Sequence, residues 1–297
     1  MRTIVKVSIL PALLLAFSPA VFADTVAIYN TVPSPLPPSS PSEAYDAQGV
    51  SEFGGLIQFG GGGTYKLVSA TVGMDTWALE STYESEIPAT ADGQTVIQGA
   101  ILTQAGFTLP LTLNLYSVGL NDTVGPQIDS ETIEAFIPWR AVGSPSCGDP
   151  DNYGMDEWQA ADGSCHYGQL LTVEFDLTGL TVPSQVIYGL AFNTTDYGAD
   201  PTGVLGPYDS LNFGLSTTSP TSGSNPIPGT VYLDSENAWA YNDDGAGGTG
   251  NVRQDSGWAP YSGEIEFTAL SPEPSSLLLF GTGLLSLASV GLGKARR

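Results

Sequence analysis

The sequence predicts an all-β protein: a single antiparallel β-sandwich, jelly-roll-like, carried between two short terminal segments. Three observations lead there. Between residues 24 and 271 apolar and polar residues alternate with period two rather than 3.6. The alternating runs are bounded by Gly, Pro, Asn and Asp, in a chain with 36 Gly and 22 Pro among 297 residues. No window of a dozen residues in that span shows an apolar helical stripe, and about ten strands without long helices pack as antiparallel sheets face to face.

The elements follow in order. The chain opens "MRTIVKVSILPALLLAFSPAVFADT". Arg2 and Lys6 precede an apolar run over Val7–Phe17, and small or modest residues lead to Ala23. This is the layout of a secretory signal peptide over 1–23, cleaved between Ala23 and Asp24. "DTVAIYN" then reads as a short strand. Residues 31–45 hold five prolines in the nine positions from Pro33 to Pro41. They form either a polyproline linker or an extended arm wrapped on the domain. "FGGGGTY" reads as a hairpin turn, since it lacks the Lys-Ser/Thr of a phosphate loop.

"GFTLPLTLNLYSVG" shows the period best. Phe107, Leu109, Leu111, Leu113 and Leu115 point one way, and Thr108, Thr112 and Asn114 the other, as in a half-buried strand. Pro110 cannot donate to a ladder, which predicts an edge or a bulge. "LLTVEFDLTG", "SQVIYGLAFNT", "YDSLNFGLS", "TVYLDS" and "SGEIEFTAL" add further strands. Residues 138–168 form an acidic loop, and "YNDDGAGGTGN" is a second loop with Asp243 and Asp244. The two cysteines, Cys147 and Cys165, are 18 apart in an exported body, which predicts a disulfide.

Charge narrows the function. Residues 24–271 keep Lys66, Arg140 and Arg253 against 30 carboxylates, a net −27. Nucleic acid is excluded as a partner, because no basic surface can displace counterions from phosphates. Anionic lipid headgroups are repelled for the same reason. Divalent cations, cationic polymers and neutral polysaccharides remain compatible.

The chain ends "SPEPSSLLLFGTGLLSLASVGLGKARR". Pro274–Gly293 carries no charge, and a transmembrane helix over about 275–293 would just cross a bilayer. Lys294, Arg296 and Arg297 would stay on the cytoplasmic side of the inner membrane. The whole segment, 272–297, resembles the PEP-CTERM sorting signal, with the Pro272-Glu273-Pro274 triplet, the apolar stretch and the Arg-rich end in sequence. The resemblance implies a Gram-negative-type bacterium whose exosortase, a membrane cysteine transpeptidase, recognises and processes the tail after export. It implies display at the surface or release into extracellular polysaccharide, with membrane anchoring before processing. The body is similar to ectodomains that precede such tails, on "PSPLPPSSPS", "SEFGGLIQF", "TLNLYSVG", "FIPWR", "YGLAFNT" and "PYDSLNFGL". That likeness implies no activity.

The body holds few chemical candidates. Asp149, Asp151, Asp156 and Glu157, with Asn152 and Asp162, crowd the loop that the disulfide would close, and oxygen ligands on a constrained loop suit Ca²⁺. An EF-hand register begun at Asp149 places Gly154 correctly but fails at Tyr153 and Ala160, so a solvated acidic loop is the competing reading. Glu264 and Glu266 are two apart on a strand and share a face, within reach of the spacing of a retaining glycosidase. Glu174 and Asp176 repeat the pattern, and the polar side of any amphipathic strand would look the same. A Ser-His-Asp triad would have to use His166, the single histidine, without a nucleophile elbow. Trp139, Trp158, Trp239 and Trp258, with Tyr153, Tyr167, Tyr241 and Tyr261, fall in or beside the long loops. Such rings either stack on sugars or cap the ends of the sandwich. The expectation is therefore a non-enzymatic, cofactor-free structural or carbohydrate-associating surface protein; the alternatives are a glycoside hydrolase using Glu264 and Glu266 and a calcium-stabilised adhesin.

Overall fold

The computed structural model describes residues 24–45, 50–87, 95–97, 100–192, 206–234 and 252–271. The signal peptide with Ala23, the Pro272–Pro274 triplet, the apolar tail, Trp239, Tyr241, Asp243 and Asp244 lie outside these residues. Among the described residues no helix is long and apolar enough to cross a membrane.

The chain is mostly β. In order, β1 is Thr25–Asn30, β2 Ser42–Ala44, β3 Glu52–Gln58 and β4 Thr64–Thr76. A one-turn helix, α1, spans Glu80–Tyr83. Next come β5 Thr95–Ile97, β6 Ala100–Thr103, β7 Gly106–Val118 and β8 Val124–Pro138. The acidic loop carries a two-residue ladder of its own, β9 Trp158–Gln159 against β10 Cys165–His166. The rest are β11 Gln169–Asp176, β12 Thr181–Pro183, β13 Gln185–Ala191, β14 Leu211–Ser216, β15 Thr230–Asp234, β16 Val252–Ser256, β17 Ser262–Gly263 and β18 Ile265–Leu270.

They build two eight-stranded antiparallel sheets. The first runs β1-β18-β4-β14-β17, with β11 and β12 on the other edge of β4 and β2 on β14. The second runs β16-β15-β3-β13-β7-β6-β5, with β8 on the free side of β7. Alternation explains which residues meet. Val72 and Met74 of β4 and Ile265 and Phe267 of β18 are fully buried, as are Phe107, Leu111 and Leu113 of β7 and Tyr188 of β13. All belong to one core. Rings from the two sheets touch directly: Phe53 to Phe213 at 5.4 Å, Phe59 to Phe267 at 5.7 Å and Tyr188 to Phe267 at 6.2 Å. Each such side chain stabilises the fold by about 1.5–3 kcal/mol through burial alone.

Three expectations need correction. The Gly60–Gly63 turn does not close a hairpin: β3 pairs with β13 and β15, while β4 pairs with β11, β12, β14 and β18. The turn instead passes the chain from one sheet to the other, with Gly61, Gly62 and Gly63 at φ +102°, +73° and +101°. That run of left-handed backbone suits glycine. The strand containing Pro110 is central rather than an edge. Proline is tolerated there because β6 pairs only as far as Thr108 and β13 begins at Thr112, so no described strand on that side needs its N–H. Finally, Thr112 and Asn114 face outward but are buried. The outer face of the second sheet carries a small cluster of its own, Leu56, Tyr116, Ile187 and Tyr232.

The proline-rich segment is an arm on the domain. The Thr31 hydroxyl donates to the carbonyls of Gly263 and Ile265. Pro38 then accepts from the free-edge N–H of Leu170 on β11, and Pro41 from Leu215 on β14. Between those two points the arm crosses the outer face of β4.

Candidate functional site

Two adjoining grooves lie around the turn Gly257–Ser262. One, of about 420 Å³, is lined by Thr217, Thr218, Ser219, Asn225, Pro260 and Tyr261 among others. The other, of about 480 Å³, is lined by Pro41, Ser42, Glu43, Leu215, Trp258 and Tyr261. Tyr261 belongs to both, and its side chain is 37% exposed. The turn is set by the Tyr261 N–H, which donates to the Trp258 carbonyl at 2.7 Å. Trp258 is anchored behind it. Its ring meets Phe53 of the core edge-on at 5.2 Å, and its Nε1–H donates to Asp255 at 2.8 Å. An exposed ring beside hydroxyl- and amide-bearing walls can stack on an apolar sugar face while those walls bond its hydroxyls.

The remaining aromatics divide. Trp139 is buried, stacks on Tyr83 and donates to the Thr103 carbonyl, so it caps the core. Trp158 donates to the Gly168 carbonyl. Tyr153 is 58% exposed and packs edge-on against Tyr167, which stacks on Trp77 at 5.4 Å. Trp77 was missed by loop position, since it follows a strand directly.

The disulfide Cys147–Cys165 is formed, with Cα atoms 5.7 Å apart. Within the loop it closes, Asp149 is committed to the chain itself. Its carboxylate accepts from the Tyr167 hydroxyl and from the N–H groups of Tyr153 and Gly154, at 2.7, 2.9 and 2.8 Å. The Tyr167 bond, with the backbone donors, holds its carboxyl below the usual range. Asp151 and Asp156 are exposed and Glu157 half-buried. Among the described residues no three His, Cys, Asp or Glu side chains converge as a metal would require. Nearby, the Ser164 hydroxyl donates to Asp162 at 2.5 Å and meets His166 Nε2 at 2.7 Å. With its one proton on Asp162, the hydroxyl accepts from the ring. A triad needs the histidine between acid and serine, and here the serine is in the middle.

Glu264 and Glu266 share the outer side of the first sheet, as their spacing predicts, but neither lines the two grooves. Glu264 is 2% exposed, lies beneath the arm and accepts from the Ser40 hydroxyl at 2.8 Å. Burial pushes its carboxyl up. Glu266 is half-buried and accepts from the Asn30 amide. Burial, with Glu174 nearby, raises it too.

Two further carboxyls escaped sequence reasoning. Asp75 of β4, 1% exposed, accepts from the Ser39 hydroxyl at 2.9 Å; burial pushes it up to about 7, with Glu264 adding to the effect. Glu52 of β3, fully buried on the outer face of the second sheet, takes the Tyr116 hydroxyl on its two oxygens at 2.9 and 3.0 Å. Burial, with Asp234 close by, pushes it up to about 8. Glycines make room for these groups. A Cβ on Gly189 would lie 1.9 Å from a Glu52 oxygen, and one on Gly73 2.4 Å from Glu264 Oε2. Glycine inside a strand beside an acidic residue was the available signal.

Neither the curated proteins nor the solved structures compared with this chain give a match. The family comparison matches residues 272–297 to the PEP-CTERM protein-sorting motif. The chain thus carries that sorting signal behind a β-rich body, which implies export, a membrane-associated C-terminal region and an exosortase-type processing partner.

Proposed function

We propose that this is a non-enzymatic component of the extracellular matrix or cell surface, whose jelly-roll-like sandwich associates with polysaccharide. The observation that carries the reading is Tyr261, a partly exposed ring standing between a groove with hydroxyl- and amide-bearing walls and a second one walled in part by Ser42 and Glu43. A body with net −27 favours a neutral or cationic glycan over an acidic one. The enzymatic alternative has less support: Glu264 is covered, and its hydrogen bond goes to the arm rather than to an open cleft.

The test is retention of the full-length protein on purified extracellular polysaccharide of its host. We expect wild type to be retained and Tyr261→Ala to lose affinity by about fivefold or more, the worth of one stacked ring. No retention of wild type, or equal retention of the variant, removes the assignment.

A further inference from the structure

The arm crosses β4 from Pro38, bonded to Leu170, to Pro41, bonded to Leu215. Beneath that span lie Asp75 and Glu264, both at least 98% buried. Each has one oxygen bonded to an arm serine, Ser39 or Ser40, at 2.9 and 2.8 Å. The other oxygen of each, Asp75 Oδ1 and Glu264 Oε2, is buried with no hydrogen-bond partner. In that position a carboxylate costs far more desolvation than a neutral carboxyl does.

Among the described residues, the surrounding elements supply no compensating cation. β4 contributes Gly73, the residue just after that strand the Trp77 indole, the approach to β11 contributes Gly168, and β14 contributes Gly214, all within contact of the two carboxyls or of a Cβ built there. The same outer side continues with Glu174 and Glu266, and Glu43 lies on β2. Arg140 is turned to the Asp156 carbonyl instead. Around this pair, then, the titratable groups that these elements present are acids.

We infer that the proline-rich arm is a proton-gated strap: it is seated across β4 while Asp75 and Glu264 carry protons, and it lifts between its anchors at Thr31 and β2 when they ionise. Lifting rehydrates both carboxylates. It also breaks few bonds, because prolines 33, 35, 37, 38 and 41 offer no N–H and the crossing is held by the Pro38 and Pro41 carbonyls, two serine hydroxyls and the Ser40 backbone bond to Asp75. Burial pushes Asp75 up to about 7 and raises Glu264, which places the change near neutral pH. Pro41 and Ser42 also wall the second groove, so the strap would reshape that groove. This consequence rests on the carbohydrate reading, whereas the strap itself does not.

Hydrogen–deuterium exchange of the full-length protein at pH 5 and pH 8, corrected for intrinsic exchange, reads the strap directly. The amides of Leu170 and Leu215 donate to the arm and act as its reporters. We expect their protection to fall about tenfold or more from pH 5 to pH 8, relative to amides of β7. An Asp75→Asn, Glu264→Gln double variant should keep equal protection at both pH values. Unchanged wild-type protection, a fall shared equally by β7, or a pH-dependent fall that persists in the double variant overturns the inference. Should that variant not fold, the wild-type comparison decides alone. Because the readout needs no glycan, failure of the strap is distinct from failure of polysaccharide binding.

Discussion

Replacing Glu52 by glutamine should remove a large part of the pH dependence of stability. The carboxyl sits near 4.5 in the unfolded chain and is pushed up to about 8 in the folded one by burial. Between those values the folded state holds a proton that the unfolded state has released. The sign is therefore fixed: stability from this group is fully present below about pH 4.5 and is lost as pH rises toward 8. From pH 5 to pH 7 the loss is about 2.5 kcal/mol, close to the limiting slope of about 1.4 kcal/mol per pH unit. Glutamine keeps an acceptor oxygen for the Tyr116 hydroxyl but has no proton to exchange. The assay is urea unfolding followed by tryptophan fluorescence at pH 5, 6, 7 and 8 for wild type and Glu52→Gln. The difference between the two proteins should shift by about 2.5 kcal/mol in favour of the variant between pH 5 and pH 7. Taking the difference cancels repulsion among the other carboxylates. A difference that stays constant with pH would refute the argument, as would one that shifts in favour of the wild type as pH rises.

Other outcomes follow from packing. Gly54→Ala would set a Cβ 1.7 Å from the Tyr188 carbonyl oxygen, backbone against backbone, and should cost about 3 kcal/mol or more, seen as a large drop in Tm or loss of folding. Phe213→Ala removes a fully buried ring that meets both Phe53 and Tyr188 and should cost about 3–5 kcal/mol by the same urea assay. A Cys147→Ser, Cys165→Ser double variant frees a loop of 18 residues and should lose about 3 kcal/mol; a Tm equal to wild type would show that the unfolded chain is not constrained by this link.

What could be read from the sequence was local. Alternation at Phe107–Leu115 and Val173–Leu177 announced strands and their buried sides correctly, because a sheet has period two whatever its partner. The tail was legible for a related reason: its triplet, apolar stretch and basic end act as a contiguous unit. Long-range features were hidden. Thr112 and Asn114 read as solvent-facing because polar residues on alternate positions look the same whether the outer face is bare or covered. Asp75 and Glu52 were passed over on that ground too, although Gly73 and Gly54 beside them hinted at close approach. The Gly60–Gly63 turn looked like a hairpin because a tight reversal is visible locally, while the choice of sheet for the next strand is made by partners far along the chain. Tyr261 and Trp258 were flagged as rim aromatics, but only the fold separates them from Trp139, which is core.

The pairing of β1 with β18 has a mechanical meaning. Thr25 lies opposite Leu270, so the first and last strands of the body are stitched side by side, and β18 is also bonded along β4. A pull on the C-terminal tail is delivered to β18 before any other strand. Traction along that strand loads two rows of hydrogen bonds together in shear instead of peeling them one after another. The strand from which the sorting signal continues is thereby among the places where the chain is best able to bear tension.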